Sequence, residues 1–170
     1  MSWLSREGGR MSKTATQADT PTRVIFACSA GGHLAQLLKL ESFSADVEIT
    51  WVTFELPDAV SSLDGRCVVW AHHPTTRNAK NLVRNGFLAI RTIRSSRPSL
   101  IVSSGAAIAV PFFWIGKLFG ARTIYVEVVD RIDTRTLTAR LVSPVTDVFL
   151  AQDPAQLRLF PGSMMIGPVL

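Results

Sequence analysis

Short apolar runs alternate with segments of helical periodicity along most of this chain. The runs are rich in β-branched and aromatic residues, which predicts strands buried on both faces of a sheet. They lie at residues 23–28, 48–54, 66–70, 100–103, 123–128, 148–150 and 164–166. Strands that alternate with helices predict a doubly wound, mostly parallel α/β sheet of the Rossmann-like type.

Between these runs, apolar side chains recur three or four positions apart, which predicts helices. The predicted helices cover residues 33–43, 78–95, 110–119 and 136–142. The longest ends before Pro98, because the residue that precedes a proline avoids helical geometry. Residues 1–22 lack any apolar core and predict a disordered leader, followed by one domain over residues 23–170. No stretch reaches the ~18 apolar residues of a membrane span.

Three predicted strands end in small or polar residues, at "SAGGH" (29–33), "SSGA" (103–106) and "VEVVD" (126–130). Ligands of doubly wound sheets bind beyond the carboxyl ends of the strands, so these segments are candidate site elements. Gly31 and Gly32 allow a sharp turn before a helix N-terminus, an arrangement that suits phosphate. The same glycines also fit a tight strand-to-helix turn with no ligand, and the two interpretations stand about even.

The side chains at these strand ends each have two or more interpretations. His33 is a general base, a phosphate contact or a polar residue in the first turn of a helix. Ser103, Ser104 and Gly105 form a second anion site or a helix cap. Glu127 points into a cleft or sits at an exposed strand end.

A dinucleotide site and a metal site are both weakly supported. Glu55 follows the second strand at the position of a ribose-binding acid, but "SAGGHL" lacks the G-x-G-x-x-G spacing. Cys67, His72 and His73 have no second ligand pair, and adjacent side chains of an extended chain point to opposite sides. No Asp-x-Asp sequence is present to hold a divalent ion. We therefore expect no metal and no cofactor.

Charge is distributed unevenly along the chain. Of 18 Lys and Arg residues, nine lie in residues 65–126, which hold no Asp or Glu, whereas the other residues carry nine positive and 13 negative charges. This asymmetry favours an anionic partner: nucleic acid, a phosphorylated ligand or a membrane surface. Cys28 and Cys67 lie in apolar runs, which predicts buried, reduced thiols without a disulfide, as in a cytosolic protein.

The helix at 78–95 carries much of this positive charge. A basic arc is expected to lie on the membrane surface together with Phe87, and it comprises Arg77, Lys80, Arg84, Arg91 and Arg94. A separate apolar arc is expected to pack on the sheet, and it comprises Ala79, Leu82, Val83, Ile90 and Ile93. Nucleic acid is not expected, because Phe87 is the only aromatic side chain among these residues. A solvated basic face is the alternative.

Three segments together resemble a known family: "CSAGGHLAQLLKL", "RPSLIVSSGAAIAVPFFWIGKLFGARTIYVEVVDRIDTRT" and "MMIGPVL". They are similar to the PssD family of bacterial polysaccharide glycosyltransferase subunits. The eukaryotic relative of that family is the membrane-associated subunit of the enzyme that adds the second N-acetylglucosamine to dolichyl diphosphate. The N-terminal domain of MurG is more distantly similar. The resemblance covers residues 23–170.

This resemblance implies the N-terminal, acceptor-binding half of a GT-B glycosyltransferase, with a second subunit carrying the nucleotide-sugar site. The acceptor would be a polyprenyl-diphosphate-linked saccharide. The protein would be a peripheral protein on the cytoplasmic face of the cell membrane, and it would take part in exopolysaccharide synthesis. By resemblance, His33 and Glu127 are catalytic, whereas Ser29, Gly31, Gly32, Ser103, Ser104 and Gly105 contact acceptor or phosphate. Unlike its eukaryotic relatives, the sequence has a polar start at residues 1–22, so attachment is expected through its surface. A self-contained NAD(P)- or nucleotide-binding Rossmann enzyme is the alternative function.

Overall fold

The computed structural model describes residues 21–42, 47–75, 78–129 and 133–169. The predicted leader therefore lies almost wholly outside the described residues, and the first strand begins at Thr22. Arg77 of the predicted basic arc also lies outside them. Within the described part of the chain, no helix combines the length and the apolar character that a membrane crossing requires.

Seven parallel strands form one sheet in the described residues, in the order β3-β2-β1-β4-β5-β6-β7. The strands are β1 Thr22–Ala27, β2 Val47–Phe54, β3 Cys67–Ala71, β4 Leu100–Ser103, β5 Arg122–Val126, β6 Val148–Ala151 and β7 Met164–Met165. The order reverses between β1 and β4, so a crevice opens there beyond the carboxyl ends of the strands. The predicted doubly wound fold is confirmed.

The helices that connect the strands are α1 Gly32–Glu41, α2 Pro57–Ser62, α3 Ala79–Ser96, α4 Ala109–Leu118, α5 Leu137–Val142 and α6 Gln156–Leu159. The sequence did not predict α2 and α6, because six and four residues are too short to show a periodic pattern. The other helices lie within about two residues of their predicted bounds.

Two apolar cores cover the two faces of the sheet. One packs α3, α4 and α5 against alternate positions such as Ile25 and Ile101, and the other packs α1 and α2 against Val24 and Phe26. Consecutive strand residues point to opposite faces, so each central strand serves both cores. Both faces of the sheet are therefore packed against helices beneath the loops that form the crevice.

The predicted packing of α3 is wrong. Of its expected apolar arc, Ile93 is buried and Ile90 is half-buried, whereas Ala79, Leu82 and Val83 are exposed. The buried face instead carries Asn81 and Asn85. Their side-chain amides are hydrogen-bonded to backbone groups of the loop after β3, which offsets the cost of burying them. The apolar residues are therefore left on the outside of α3.

The prediction of two buried cysteines is half correct. Cys28 is buried in the second core, and burial raises the pKa of its thiol to about 12. Cys67 is exposed, because it is the first residue of β3, the edge strand of the sheet. Both cysteines are free.

Candidate functional site

The three strand ends singled out in the sequence belong to neighbouring strands. β1, β4 and β5 lie side by side, with the switch point between β1 and β4. The segment after β1 leads into α1 and carries His33, the segment after β4 carries Ser104 and Gly105, and Glu127 follows β5 directly. The tertiary structure thus brings together residues that are up to 94 positions apart, since 127 − 33 = 94.

His33 and Ser104 contact each other across the switch point. The Ser104 hydroxyl donates to the backbone oxygen of His33 at 3.0 Å, and the same Oγ lies 3.3 Å from His33 Nδ1. A hydroxyl has one hydrogen, so Ser104 Oγ must accept from Nδ1 if it donates to the carbonyl. These hydrogen bonds therefore assign a proton to Nδ1, and in the neutral form of the ring the lone pair is on Nε2.

Gly105 leaves the space that the His33 ring occupies. A Cβ atom at this position would lie 2.9 Å from His33 Cε1 and 3.1 Å from the Tyr125 hydroxyl oxygen. Gly105 also has φ 125°, in a region that side chains rarely adopt. The imidazole and the phenol thus approach the same backbone atom, and only glycine permits that approach.

The substitution Gly105→Ala is expected to displace the His33 ring as well as strain the backbone. The strain is worth about 1–3 kcal/mol, so the melting temperature should fall. The His33 imidazole resonances should shift in two-bond ¹H–¹⁵N correlation spectra, because the new methyl group contacts Cε1.

The matched control for this substitution is Gly65→Ala. Gly65 also has positive φ, 73°, but no atom lies within 4 Å of its Cβ position. This variant should lose stability while the His33 resonances stay in place. Unchanged His33 resonances in a folded Gly105→Ala protein would contradict the close approach.

The glycine turn is held by an acidic residue that the sequence analysis did not single out. The Asp58 carboxylate accepts from the Gly31 N–H at 2.7 Å, and Gly31 itself adopts φ 78°. Asp58 lies in the first turn of α2, a helix that was not predicted. The amides that remain for an anion at this turn are therefore those of the first turn of α1, from Gly32 onward.

Ser103 and Ser29 occupy different environments near the crevice. Ser103 is fully buried, and its hydroxyl accepts from the Gly105 N–H at 3.0 Å and donates to the Gly105 oxygen at 3.3 Å. Ser103 therefore shapes its own loop and lies behind the surface of the crevice. Ser29 is half-buried in the turn between β1 and α1.

Glu127 lies inside the protein and not at an exposed strand end. Its side chain is 1% exposed, and its Oε1 accepts from the Val128 N–H at 3.2 Å. Two buried side-chain amides hold the backbone around it. Gln152 Nε2 donates to the backbone oxygen of Glu127 at 2.7 Å, and Gln156 Nε2 donates to the backbone oxygen of Val128 at 2.7 Å. The carboxylate is thus fixed by a rigid support.

Tyr125, the only tyrosine in the chain, is a second site residue that sequence reasoning missed. It lies two positions before Glu127 on the same side of β5, and its hydroxyl is 3.4 Å from Thr136 Oγ1. Burial, reinforced by the negative charge of Glu127, raises the pKa of this phenol above its usual range. Tyr125 therefore remains a neutral hydroxyl beside His33. Its place two residues before the strand-end acid is the signal that could have identified it.

Within the described residues, no three His, Cys, Asp or Glu side chains are close enough together to hold a metal ion. Glu55, His72 and His73 lie together elsewhere, at the ends of β2 and β3. Asp58 accepts from the first amide of the glycine turn, so a diphosphate of any kind would find there only the amides from Gly32 onward.

The sheet order, the switch crevice and the helices on both faces define the class of the domain. It is a Rossmann-like α/β domain of the kind found in GT-B glycosyltransferases, and it corresponds to their N-terminal half. Neither a protein-family model nor a curated protein sequence matches the chain.

The chain is similar in fold to several solved structures. MurG of Acinetobacter baumannii matches with a TM-score of 0.68 and 16% identity over 86% of this chain and 45% of MurG. A glycosyltransferase from Rickettsia africae matches with a TM-score of 0.61 and 11% identity, over 86% of this chain and 43% of that one. A UDP-N-acetylglucosamine 2-epimerase from Rickettsia bellii matches with a TM-score of 0.65 and 11% identity, over 82% of this chain and 41% of the epimerase. The chain therefore spans less than half the length of these proteins.

Proposed function

We propose that this chain is the acceptor-binding half of a GT-B glycosyltransferase. The enzyme would transfer a sugar from a nucleotide sugar to a lipid-diphosphate-linked saccharide in polysaccharide biosynthesis. The observation that carries the proposal is the His33–Ser104 pair at the switch crevice, in a fold that matches the N-terminal half of MurG. The PssD-like subtype is part of this proposal.

In the proposed reaction, His33 acts as the general base. A hydroxyl of the acceptor sugar attacks the anomeric carbon of the donor, and its proton passes to Nε2 as the bond to the nucleotide breaks. Ser104 would favour catalysis by holding the tautomer in which Nε2 carries the lone pair. Glu127 is the second catalytic candidate, because an ionised carboxylate at this buried position would stabilise positive charge that develops in the crevice.

The acceptor diphosphate would lie between two helix N-termini. α1 begins at Gly32 on one side of the switch point, and α4 begins just after the loop of Ser104 and Gly105 on the other. First-turn amides of α1 have no partner within their own helix and attract anions. At α4 the Ala109 and Val110 amides donate to the oxygens of Ala106 and Ala107, so this helix would contribute mainly through its dipole. Asp58 would limit how deeply the anion enters, since its carboxylate holds the Gly31 amide.

The nucleotide-sugar site would be supplied by a second subunit. This proposal rests on the resemblance of residues 23–170 to the PssD family, in which a separate chain carries the nucleotide-sugar site; the described residues form one sheet. Transfer requires both substrates to be aligned in one cleft, and one α/β domain provides one wall of that cleft.

The outer face of α3 is the proposed membrane surface. Phe87 is 70% exposed and Val83 is 59% exposed, and the two are neighbours on the helix surface. The exposed basic side chains around them are Lys80, Arg84, Arg91 and Arg94. The Arg94 guanidinium lies 5.6 Å from the ring centroid of half-exposed Phe119, which extends this surface onto α4. Exposed apolar groups beside basic ones favour peripheral attachment, in our proposal to the cytoplasmic face of the cell membrane.

The protein is expected to sediment with anionic liposomes at low salt and to dissociate as salt is raised. Each basic residue near an anionic leaflet contributes on the order of 1 kcal/mol. The double substitution Lys80→Glu with Arg91→Glu should therefore weaken binding at least about 30-fold. Phe87→Ser should weaken it further, because the ring would no longer enter the headgroup region.

The control is Lys39→Glu with Arg158→Glu, which changes the net charge equally. Both residues are exposed, and Lys39 lies on α1, on the opposite face of the sheet. This pair should bind almost as well as the unmodified chain. Equal loss of binding in the two double variants would show that net charge, and not a defined surface, determines binding. If the unmodified chain did not bind anionic liposomes at all, the outer face of α3 would be a solvated basic face.

The proposed function as a whole is tested by incorporation of labelled sugar. Membranes that contain the chain and a candidate nucleotide-sugar-binding subunit are supplied with a panel of nucleotide sugars. Label should enter solvent-extractable, diphosphate-linked lipid only when the chain is present. The alternative, a self-contained nucleotide-binding enzyme, would instead be supported by tight binding of NAD(P) to the chain alone.

A further inference from the structure

A second depression opens at the carboxyl edge of the sheet, away from the His33 crevice. It has a volume of ≈ 360 Å³ and is lined by Glu55 after β2, by Trp70 and Ala71 at the end of β3, by His72 and His73, and by Arg84 of α3. Its volume is within the range of roughly 300–1,000 Å³ that is typical of small-molecule sites. Neither the proposed catalysis nor the glycine turn uses these side chains. Arg84 is also one of the basic residues of the proposed membrane surface.

The loop that forms one wall is held rigidly from below. Asn85 accepts from the His72 N–H at 2.8 Å and donates to the His72 oxygen at 2.9 Å. Asn81 donates to the Pro74 oxygen at 2.9 Å. These two asparagines occupy buried positions of α3, where apolar residues are usual. Buried amides that are hydrogen-bonded to one loop fix its geometry, and rigid support is typical of loops that present binding side chains.

The chemistry of the lining matches a neutral sugar ring. Arg84 donates hydrogen bonds, the Glu55 carboxylate accepts them, and an imidazole does both, as the hydroxyls of a sugar require. The opposite charges of Arg84 and Glu55 lie in the same lining. The carboxylate in the same depression disfavours a phosphate group.

Aromatic residues border the depression. Trp70 lines it but packs against the second core, on the face of the sheet opposite α3, whereas the exposed His73 ring lies 5.6 Å from the Phe54 ring, measured between centroids. The His73 ring offers a flat surface on which the C–H groups of a pyranose can pack. A depression with a few polar groups beside such surfaces is suited to an uncharged, hydroxyl-rich ligand.

We infer that this depression is a subsite for a neutral pyranose of the acceptor saccharide. β2 lies next to β1 and β3 lies beyond β2, so the depression is about 10 Å along the edge from the His33 crevice at ~4.8 Å per strand. One sugar of an acceptor could occupy it while another presents its hydroxyl to His33. This assignment rests on the proposed function for the identity of the saccharide as acceptor.

The test uses saturation-transfer NMR and titration of the full chain with free glucose, galactose and N-acetylglucosamine. At least one neutral sugar should bind saturably, with a dissociation constant on the order of millimolar for so small a ligand. The substitution Glu55→Gln should weaken binding about tenfold or more, because a charged acceptor is lost. His73→Ala should also weaken it.

The matched control is Glu48→Gln, an equal change on the exposed, opposite end of the same strand. It should leave sugar binding unaltered. Saturable binding of no neutral sugar, equal affinity of the Glu55→Gln protein, or stronger binding of glucuronic acid than of glucose would overturn the subsite.

Failure of the subsite and failure of the proposed function have different signatures. Transfer that requires His33 but is unaffected by Glu55→Gln at limiting acceptor would remove the subsite and leave the function intact. Sugar binding that depends on Glu55, in a chain that supports no transfer with any subunit, would remove the function and leave a saccharide-binding site.

Discussion

Replacement of His33 by alanine is expected to lower sugar transfer by roughly 10²- to 10⁴-fold while the domain stays folded. The reason is that Nε2, the lone-pair nitrogen in the tautomer assigned by Ser104, would take the proton of the attacking hydroxyl. The side chain is only half-buried in the first turn of α1, so its truncation should leave the two cores intact.

Glu127→Gln is expected to lower transfer to a similar extent. The amide keeps the shape of the buried side chain and the oxygen that accepts from the Val128 N–H, but it removes the negative charge. A glutamine at this position therefore tests the charge without creating a cavity, which Glu127→Ala would do. Ser104→Ala should have a smaller effect, because the neutral ring would still populate the productive tautomer in part.

The measurement is the rate of label transfer by the assembled enzyme, with the melting temperature of each variant as a check on folding. Lys39→Ala, on the exposed face of the same helix α1, is the control and should transfer at the normal rate. If His33→Ala transferred normally, the histidine would be a structural residue of the turn. If Glu127→Gln did so as well, the crevice would not be the active site.

The isolated chain is expected to have no measurable transferase activity, and a subunit that carries the nucleotide-sugar site is expected to restore it. Alignment of two reactants in one cleft is worth roughly 7–11 kcal/mol of the activation barrier. One domain with the acceptor crevice lacks the wall that would position the donor. Each protein assayed alone should therefore remain at background, and the mixture should transfer label.

The control for this experiment is the same mixture made with the His33→Ala chain. It should assemble but not transfer, which distinguishes a true two-subunit site from a contaminating transferase. Turnover of a nucleotide sugar by the purified chain alone, at the rate of the mixture, would contradict the two-subunit arrangement.

Local pattern was sufficient for the elements of the fold but not for every helix. The central strands are buried on both faces, so their apolar runs mark them with bounds correct to about two residues. The helices α2 and α6 were not predicted, because one or two turns of helix are too short to show a periodic pattern. Asp58, which holds the glycine turn, was missed together with α2.

The face that a helix buries depended on partners outside the helix. The apolar arc predicted for α3 is mostly exposed because Asn81 and Asn85 are needed below the loop after β3. A buried amide costs free energy unless it is hydrogen-bonded, and its partner lies in another segment of the chain. Periodicity within α3 carries no information about that partner.

The sequence by itself determined the alternation of strands and helices and the residue types at three strand ends, because both depend on neighbours along the chain. The tertiary structure decided that β1, β4 and β5 lie side by side, and it thereby joined His33 to Ser104 and placed Tyr125 against Gly105. It also decided that Glu127 is buried and that Cys67 is exposed. These features follow from strand order and packing between distant segments, which a pattern of neighbouring residues does not encode.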